Sequence, residues 1–145
     1  PDYVKKATER VAKAGLSDAV DVRLQSIYDH IGGPYDAVYF SASFMLMPDP
    51  AEALRHVATV LKDDGKIYFT QTFQDKRSKM LEKVKPMLKA ATTIEFGRVT
   101  YEEDFRDVVT AGGVELSELT VMERKGTRSY RLAVGRPVGE LRPAV

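Results

Sequence analysis

Apolar residues recur along this chain with two different periods, and the switches between them divide it into helices and strands. Val4, Ala7, Val11 and Ala14 follow helical spacing, and Gly15 followed by Leu16 reads as a glycine stop with an apolar contact beyond it. Val20 to Gln25 alternates apolar and polar, the period-two signature of a strand exposed on one face and suited to a sheet edge. Ala37-Val38-Tyr39-Phe40 is apolar on both faces, which suits a doubly covered strand of a parallel sheet. Asp49-Pro50-Ala51-Glu52 then supplies an N-cap carboxylate, a proline at the first helical position and a glutamate placed to close a capping box. Leu54, Val57, Ala58 and Leu61 form the stripe of that helix. Lys62-Asp63-Asp64-Gly65 ends it, and Lys66 to Thr72 reads as the next strand.

Strand, capped helix, turn and strand make a βαβ unit. Beyond it, Met80, Leu81, Val84 and Leu88 predict a helix kinked at Pro86. Thr100 with Glu103 predicts a second capping box, opening a helix that carries Phe105, Val108 and Val109 and stops at Gly112-Gly113. Val114 to Met122 and Ser129 to Val134, joined by Arg124-Lys125-Gly126-Thr127, predict a closing β-hairpin. The fold class expected is α/β, with parallel strands and a C-terminal antiparallel hairpin. Residues 1–136 are read as one domain and 137–145 as a loosely held tail.

Composition narrows the chemistry. With 145 residues, 43% hydrophobic and 30% charged, the chain can build one substantial core. Twenty-two Lys and Arg against twenty-one Asp and Glu leave a net charge of +1, so no field favours nucleic acid, and small molecules or proteins are the expected partners. The absence of Cys excludes disulfides, thiolate metal sites and a cysteine nucleophile, and no metal site is expected. No apolar run approaches the roughly 20 residues of a membrane span, and the expectation is a soluble, cytoplasmic chain.

The order of elements resembles that of class I S-adenosylmethionine-dependent methyltransferases, the Rossmann-like fold, after their second strand. Particular residues carry the likeness. Pro1-Asp2-Tyr3-Val4-Lys5-Lys6-Ala7 resembles the helix after that family's acidic ribose-binding residue, Pro34-Tyr35-Asp36-Ala37-Val38-Tyr39-Phe40-Ser41 its fourth strand, and Leu61-Lys62-Asp63-Asp64-Gly65-Lys66-Ile67-Tyr68 its turn into the fifth. The nearest likeness is to the type 11 methyltransferases. The G-x-G-x-G loop of the first strand and the acidic residue ending the second do not occur in the sequence, so the expectation is an N-terminally truncated domain that carries half a cofactor site.

The resemblance implies S-adenosylmethionine as cofactor and a small-molecule or lipid-like acceptor. It places Ser26 at the adenine-binding position, with Ile27 against the ring. For Ile27, cofactor contact and plain core packing stand side by side. Ser41 and Ala42 are placed where the methionine end of the cofactor passes, although a tight strand-to-helix turn needs small residues there in any case. Phe44 and Met45, in Phe44-Met45-Leu46-Met47, are candidates for an apolar substrate lining, with packing the stronger reading. Methyl transfer needs alignment and desolvation more than a protein nucleophile, and no catalytic residue is assigned. His30 and His56 read as solvated. Glu95 to Arg98 with Tyr101 reads either as a lid or as an inter-helix loop leading into a helix start. The strand after Phe40 does not continue as Asn/Asp-Pro-Pro-Tyr/Phe, which argues against methylation of planar nitrogens. Two functions from different classes follow: methyl transfer by the parent domain, with this fragment inactive alone, or a cofactor-free scaffold acting through protein contacts. The apolar Ala37 to Phe40 edge is expected to pair either with Val20 to Gln25 or with a second copy as a homodimer.

Overall fold

The computed structural model describes residues 2–76 and 100–139. The helix expected around Met80 to Leu88, the Glu95 to Arg98 stretch and residues 140–145 of the expected tail lie outside them. The chain divides into two compact units, residues 1–30 and 31–145.

The first unit is a helix, α1 (Asp2–Lys13), followed by turns through residues 14–19, irregular chain and a short 3-10 turn at Ile27–Asp29. Val4, Ala7 and Val11 are the less exposed positions of α1, as their spacing predicts, yet no residue of the helix is buried. Gly15 adopts φ +68°, and the Leu16 amide donates to the Val11 carbonyl at 3.0 Å, closing the helix as expected. Val20 to Gln25 is not a strand. It joins no ladder among the described residues, and Leu24 is 75% exposed. Alternation makes a strand only when a neighbouring backbone accepts its hydrogen bonds, and none of the described strands does so.

The second unit is a four-stranded sheet in the order β1-β2-β4-β3, from β1 (Tyr35–Ser41), β2 (Leu61–Gln74), β3 (Val114–Lys125) and β4 (Arg128–Pro137). β1 and β2 are parallel and joined through α2 (Pro50–Val60), whereas β4 is antiparallel to both β2 and β3. The expected βαβ unit and hairpin are both present. The hairpin is longer than its alternation suggested and turns at Gly126, φ +60°. β4 continues through Gly135 to Pro137, and the Val138 amide donates to the Gly113 carbonyl at 2.9 Å.

α2 starts as its sequence dictates: the Asp49 carboxylate accepts from the Glu52 amide at 2.9 Å, with Pro50 in the first turn. The Glu52 carboxylate pairs with Arg55 at 2.9 Å. The helix of residues 102–111, α3 (Glu102–Ala111), departs from the expected capping box. Tyr101 is its N-cap, and Thr100 instead bridges Phe73 of β2. Backbone pairing holds Thr100 extended, with its carbonyl accepting from the Gln74 backbone amide at 2.8 Å, while its hydroxyl accepts from the Gln71 side-chain Nε2 at 3.3 Å.

Period two on β2 sends Ile67, Phe69 and Phe73 to one face, where α2 and α3 bring Leu54, Val57, Phe105 and Val109. Phe105 meets Phe44, Phe69 and Phe73 edge-on at centroid distances of 5.9, 5.4 and 5.3 Å, and Phe40 stacks on Phe69 at 5.5 Å. Such pairs contribute roughly 0.5–1.5 kcal/mol each beyond the area they bury. Gly112 lets the helices close up, because a Cβ there would lie 2.7 Å from Leu54.

Candidate functional site

In open sheets ligands gather beyond the carboxyl ends of parallel strands, which here is the chain leaving β1. Ser41 ends the strand opposite Thr70 of β2. Ala42 then takes φ +51°, a left-handed conformation that is unfavourable for a residue with a Cβ, and its amide donates to the Thr70 carbonyl at 2.8 Å. This bond pins the turn to β2 and leaves Ser41, Ala42 and Ser43 exposed in sequence. Small side chains here let a ligand lie close to the backbone.

The next turn separates the two substrate candidates. Phe44 is wholly buried in the aromatic cluster and reaches no surface, while Met45 is half-buried and Leu46 is 57% exposed. Of the four candidates in this unit, Ser41, Ala42 and Met45 therefore lie along one accessible turn, and Phe44 packs beneath it.

Ser26 and Ile27 belong to the other unit. The Ser26 hydroxyl caps the Ile27–Asp29 turn by accepting from the Tyr28 amide at 3.3 Å, so one of its lone pairs already has a partner. Ile27 is half-buried. The His30 ring meets the Gln25 side chain at 3.0 Å. His56 is half-buried on α2.

Two polar groupings escaped the sequence reading. On the sheet face opposite the helices, the Tyr39 and Thr70 hydroxyls lie 2.7 Å apart. Hydrogen bonds to Thr70 first, then to Ser41 and Tyr130, hold the Tyr39 phenol below its ordinary range. The signal was the matching parity of hydroxyl residues on adjacent strands, which becomes visible only once the register is known.

The second grouping sits where β2 ends. The Asp75 carboxylate accepts from Ser129 at 2.6 Å and from Arg131 at 2.9 Å, and lies 3.1 Å from Arg124. Arg131 also donates to Ser129 and Glu102 and lies over the Phe73 ring at 4.9 Å. The Ser129 hydrogen bond first, then Arg131, holds Asp75 below the usual carboxylate range. Arg106 first, then Arg131, does the same for Glu102. Both acids are therefore ionised at neutral pH and carry no proton to give. The grouping is a clamp joining β2, α3 and the hairpin. Asp75 was open to suspicion from its place just after a strand.

A cleft of about 510 Å³, lined in part by Asp63, Asp64, Lys66 and Arg136, lies at the amino end of β2, away from this turn. No helix of the described residues is long and apolar enough to cross a membrane.

A sequence model of the family described as "Methyltransferase domain" matches residues 1–69, which include β1, its small-residue turn and α2. The mitomycin 7-O-methyltransferase MmcR superposes with a TM-score of 0.73 over 95% of this chain, at 18% identity. The chain carries the class I methyltransferase fold. The [4+2]-cyclase SpnF superposes at 0.69 over 94% of the chain with 16% identity, and the geranyl diphosphate C-methyltransferase of Streptomyces coelicolor at 0.65 over 93% with 11% identity. The latter structure is a complex with Mg2+, geranyl diphosphate and S-adenosyl-L-homocysteine. The chain spans 40%, 64% and 61% of the lengths of these three proteins. No curated protein sequence matches it.

Proposed function

We propose that this chain forms the acceptor-side part of an S-adenosylmethionine-dependent methyltransferase domain whose acceptor is a small or lipid-like molecule. The observation that carries the reading is the exposed Ser41-Ala42-Ser43 turn at the carboxyl end of β1, in which Ala42 is left-handed and its amide bonds to the Thr70 carbonyl. Backbone strain of this kind persists where surrounding structure enforces it, and it gathers at ligand sites. The residues suit the cofactor's sulfonium end, since Ser41 and Ala42 place no bulk or positive charge beside it. Ser26 and Ile27 are proposed for the adenine, through the serine hydroxyl and the isoleucine side chain. When bound, the cofactor supplies an electrophilic methyl group. The chain's own task is to position it, with Met45 and its neighbours excluding water on the acceptor side.

The G-x-G-x-G loop that would grip the rest of the cofactor does not occur in the 145 residues. Each missing hydrogen bond contributes roughly 0.5–3 kcal/mol, so several together change affinity by orders of magnitude. Calorimetry on two polypeptides tests the reading: this chain alone, and a version extended in front with a glycine loop and a carboxylate. The first is expected to show no micromolar binding of S-adenosylmethionine and the second to show it. Micromolar binding by the chain alone would refute the half-site reading.

A second reading is a scaffold that binds no cofactor and acts through protein contacts. It is favoured by the occurrence of this fold in a protein described as a [4+2]-cyclase, which shows that the fold is not tied to methyl transfer. Failure of the extended version to bind would select it.

A further inference from the structure

Gln71 is 8% exposed, and its side-chain Oε1 is buried without a hydrogen-bond partner among the described residues. Buried acceptors in folded chains are nearly always paired, because an unpaired one forfeits its hydration, so an exception calls for an explanation.

The place of Gln71 in the sheet supplies one. Among the described residues, β2 has β1 as its neighbour on one side as far as the pair Ser41 with Thr70, and Thr100 takes that side from Phe73 onward. Gln71 and Thr72 fall in the gap between the two, directly beyond the exposed Ser41-Ala42-Ser43 turn. Alternation puts the Gln71 side chain on the helix face, between Phe69 and Phe73. Its Nε2 donates to the Thr100 hydroxyl at 3.3 Å, which fixes the amide and leaves its oxygen over. The cation directly opposite on β4, Arg131, does not serve that oxygen: its three guanidinium nitrogens donate to Ser129, Glu102 and Asp75.

We propose that Gln71 Oε1 accepts a hydrogen bond from a neutral hydroxyl group of the methyl acceptor, a proposal that rests on the methyl-transfer reading above and gives its acceptor side a residue. The surroundings select the chemistry. An ammonium group would lie beside the Arg131 cation, and a carboxylate would meet an oxygen with no proton to donate. A neutral hydroxyl suits a neutral amide oxygen, and Phe69 and Phe73 on either side suit an apolar body. An amide takes up no proton at neutral pH, so Gln71 orients the hydroxyl and does not act as its base.

Nuclear magnetic resonance on the 145-residue chain, with phenol as the probe and no cofactor added, tests this. The readouts are the Gln71 side-chain amide signal and the backbone amides of Thr72 and Phe73. Phenol is expected to shift them, and toluene, of the same size but without a hydroxyl, to bind at least about fivefold more weakly. In Gln71→Met, read at the two backbone amides, phenol is expected to lose that advantage. The comparison of the two probes on the parent chain stands whether or not the variant folds. Phenol that leaves the Gln71 signal in place, equal binding of phenol and toluene, or a preference that survives in Gln71→Met would each overturn the proposal. S-adenosylmethionine binding by the extended version is measured separately, so failure of the methyl-transfer reading and failure of this contact are told apart.

Discussion

Residues 2–30 and residues 31–139 carry the same kinds of sequence signal, a helical stripe and an alternating run, but only the second segment converts them into buried surface. α1 has its stripe at Val4, Ala7 and Val11 and buries none of it. α3, two residues shorter, buries Phe105 and Val109 completely. The apolar residues of Val20 to Gln25 stay half or fully exposed, whereas Ile67, Phe69 and Phe73 of β2 lie at 1% exposure or less. The difference lies in what each segment buries. Periodicity prepares an element for burial, and packing against a partner supplies the stability.

The sharpest way to break this comparison is to delete matched side chains. Phe105→Ala removes the ring that three other phenylalanines meet, and should destabilise the fold by about 3–5 kcal/mol. Leu24→Ala, at a largely exposed position, should change stability by no more than about 0.5 kcal/mol. Urea unfolding of both variants measures the contrast, and equal losses would mean that residues 2–30 are as tightly packed as the sheet.

A smaller effect of opposite sign is expected at the turn after β1. Ala42→Gly relieves the left-handed strain and should stabilise the chain by about 1 kcal/mol in the same assay. If the substitution proves destabilising, the turn is not held against a conformational preference, and the strongest support for a ligand site there is lost.

The slightest effect expected is electrostatic. Asp75 and Glu102 sit below their ordinary values, so their stabilising contribution is complete above about pH 5 and fades as pH falls through the lowered folded-state values. Arg131→Met keeps an apolar stem over Phe73 and removes the shared cation. The loss of stability between pH 7 and pH 3 should therefore be smaller in the variant than in the parent chain. Asp36, lowered by Lys62, titrates in the same direction in both proteins and leaves some slope in each. An unchanged difference would show that the clamp contributes nothing through charge.

What the sequence made legible was local. The Asp49-Pro50 helix start, the glycine stop at Gly15 and the strand at Ala37 to Phe40 each depend on residues within a few positions of one another, and each forms, although Ala37 and Tyr39 of that strand are exposed where both faces were expected to be covered. The expectations that missed concern partners distant in sequence. Val20 to Gln25 has the alternation of a strand but finds no ladder. Thr100 has the composition of a cap but is held extended by β2. Within the candidate site, Ser41 and Ala42 could be placed beyond a strand end from pattern and family likeness. The burial of Phe44 could not, because it depends on Phe105 arriving from α3. Nor could the joining of Asp75, Ser129 and Arg131 be read from residues more than 50 positions apart.

The junction between α2 and β2 has a consequence for how this fold can vary. Val60 is the last helical residue and Leu61 already pairs with Tyr35, while the next pair along is Ala37 with Lys66. The turn expected after the helix is thus extruded from within the ladder at residues 62–65, clamped on both sides. Residues 62–64 are exposed and Gly65 is buried, so changes of length at 62–64 are expected to shift neither the face that α2 presents nor the alternation of β2 beyond Lys66, which circular dichroism and urea unfolding of an insertion variant would check. It is a seam at which the domain can accept inserted sequence, a tag or a small binding module among them, while the elements on either side keep their places.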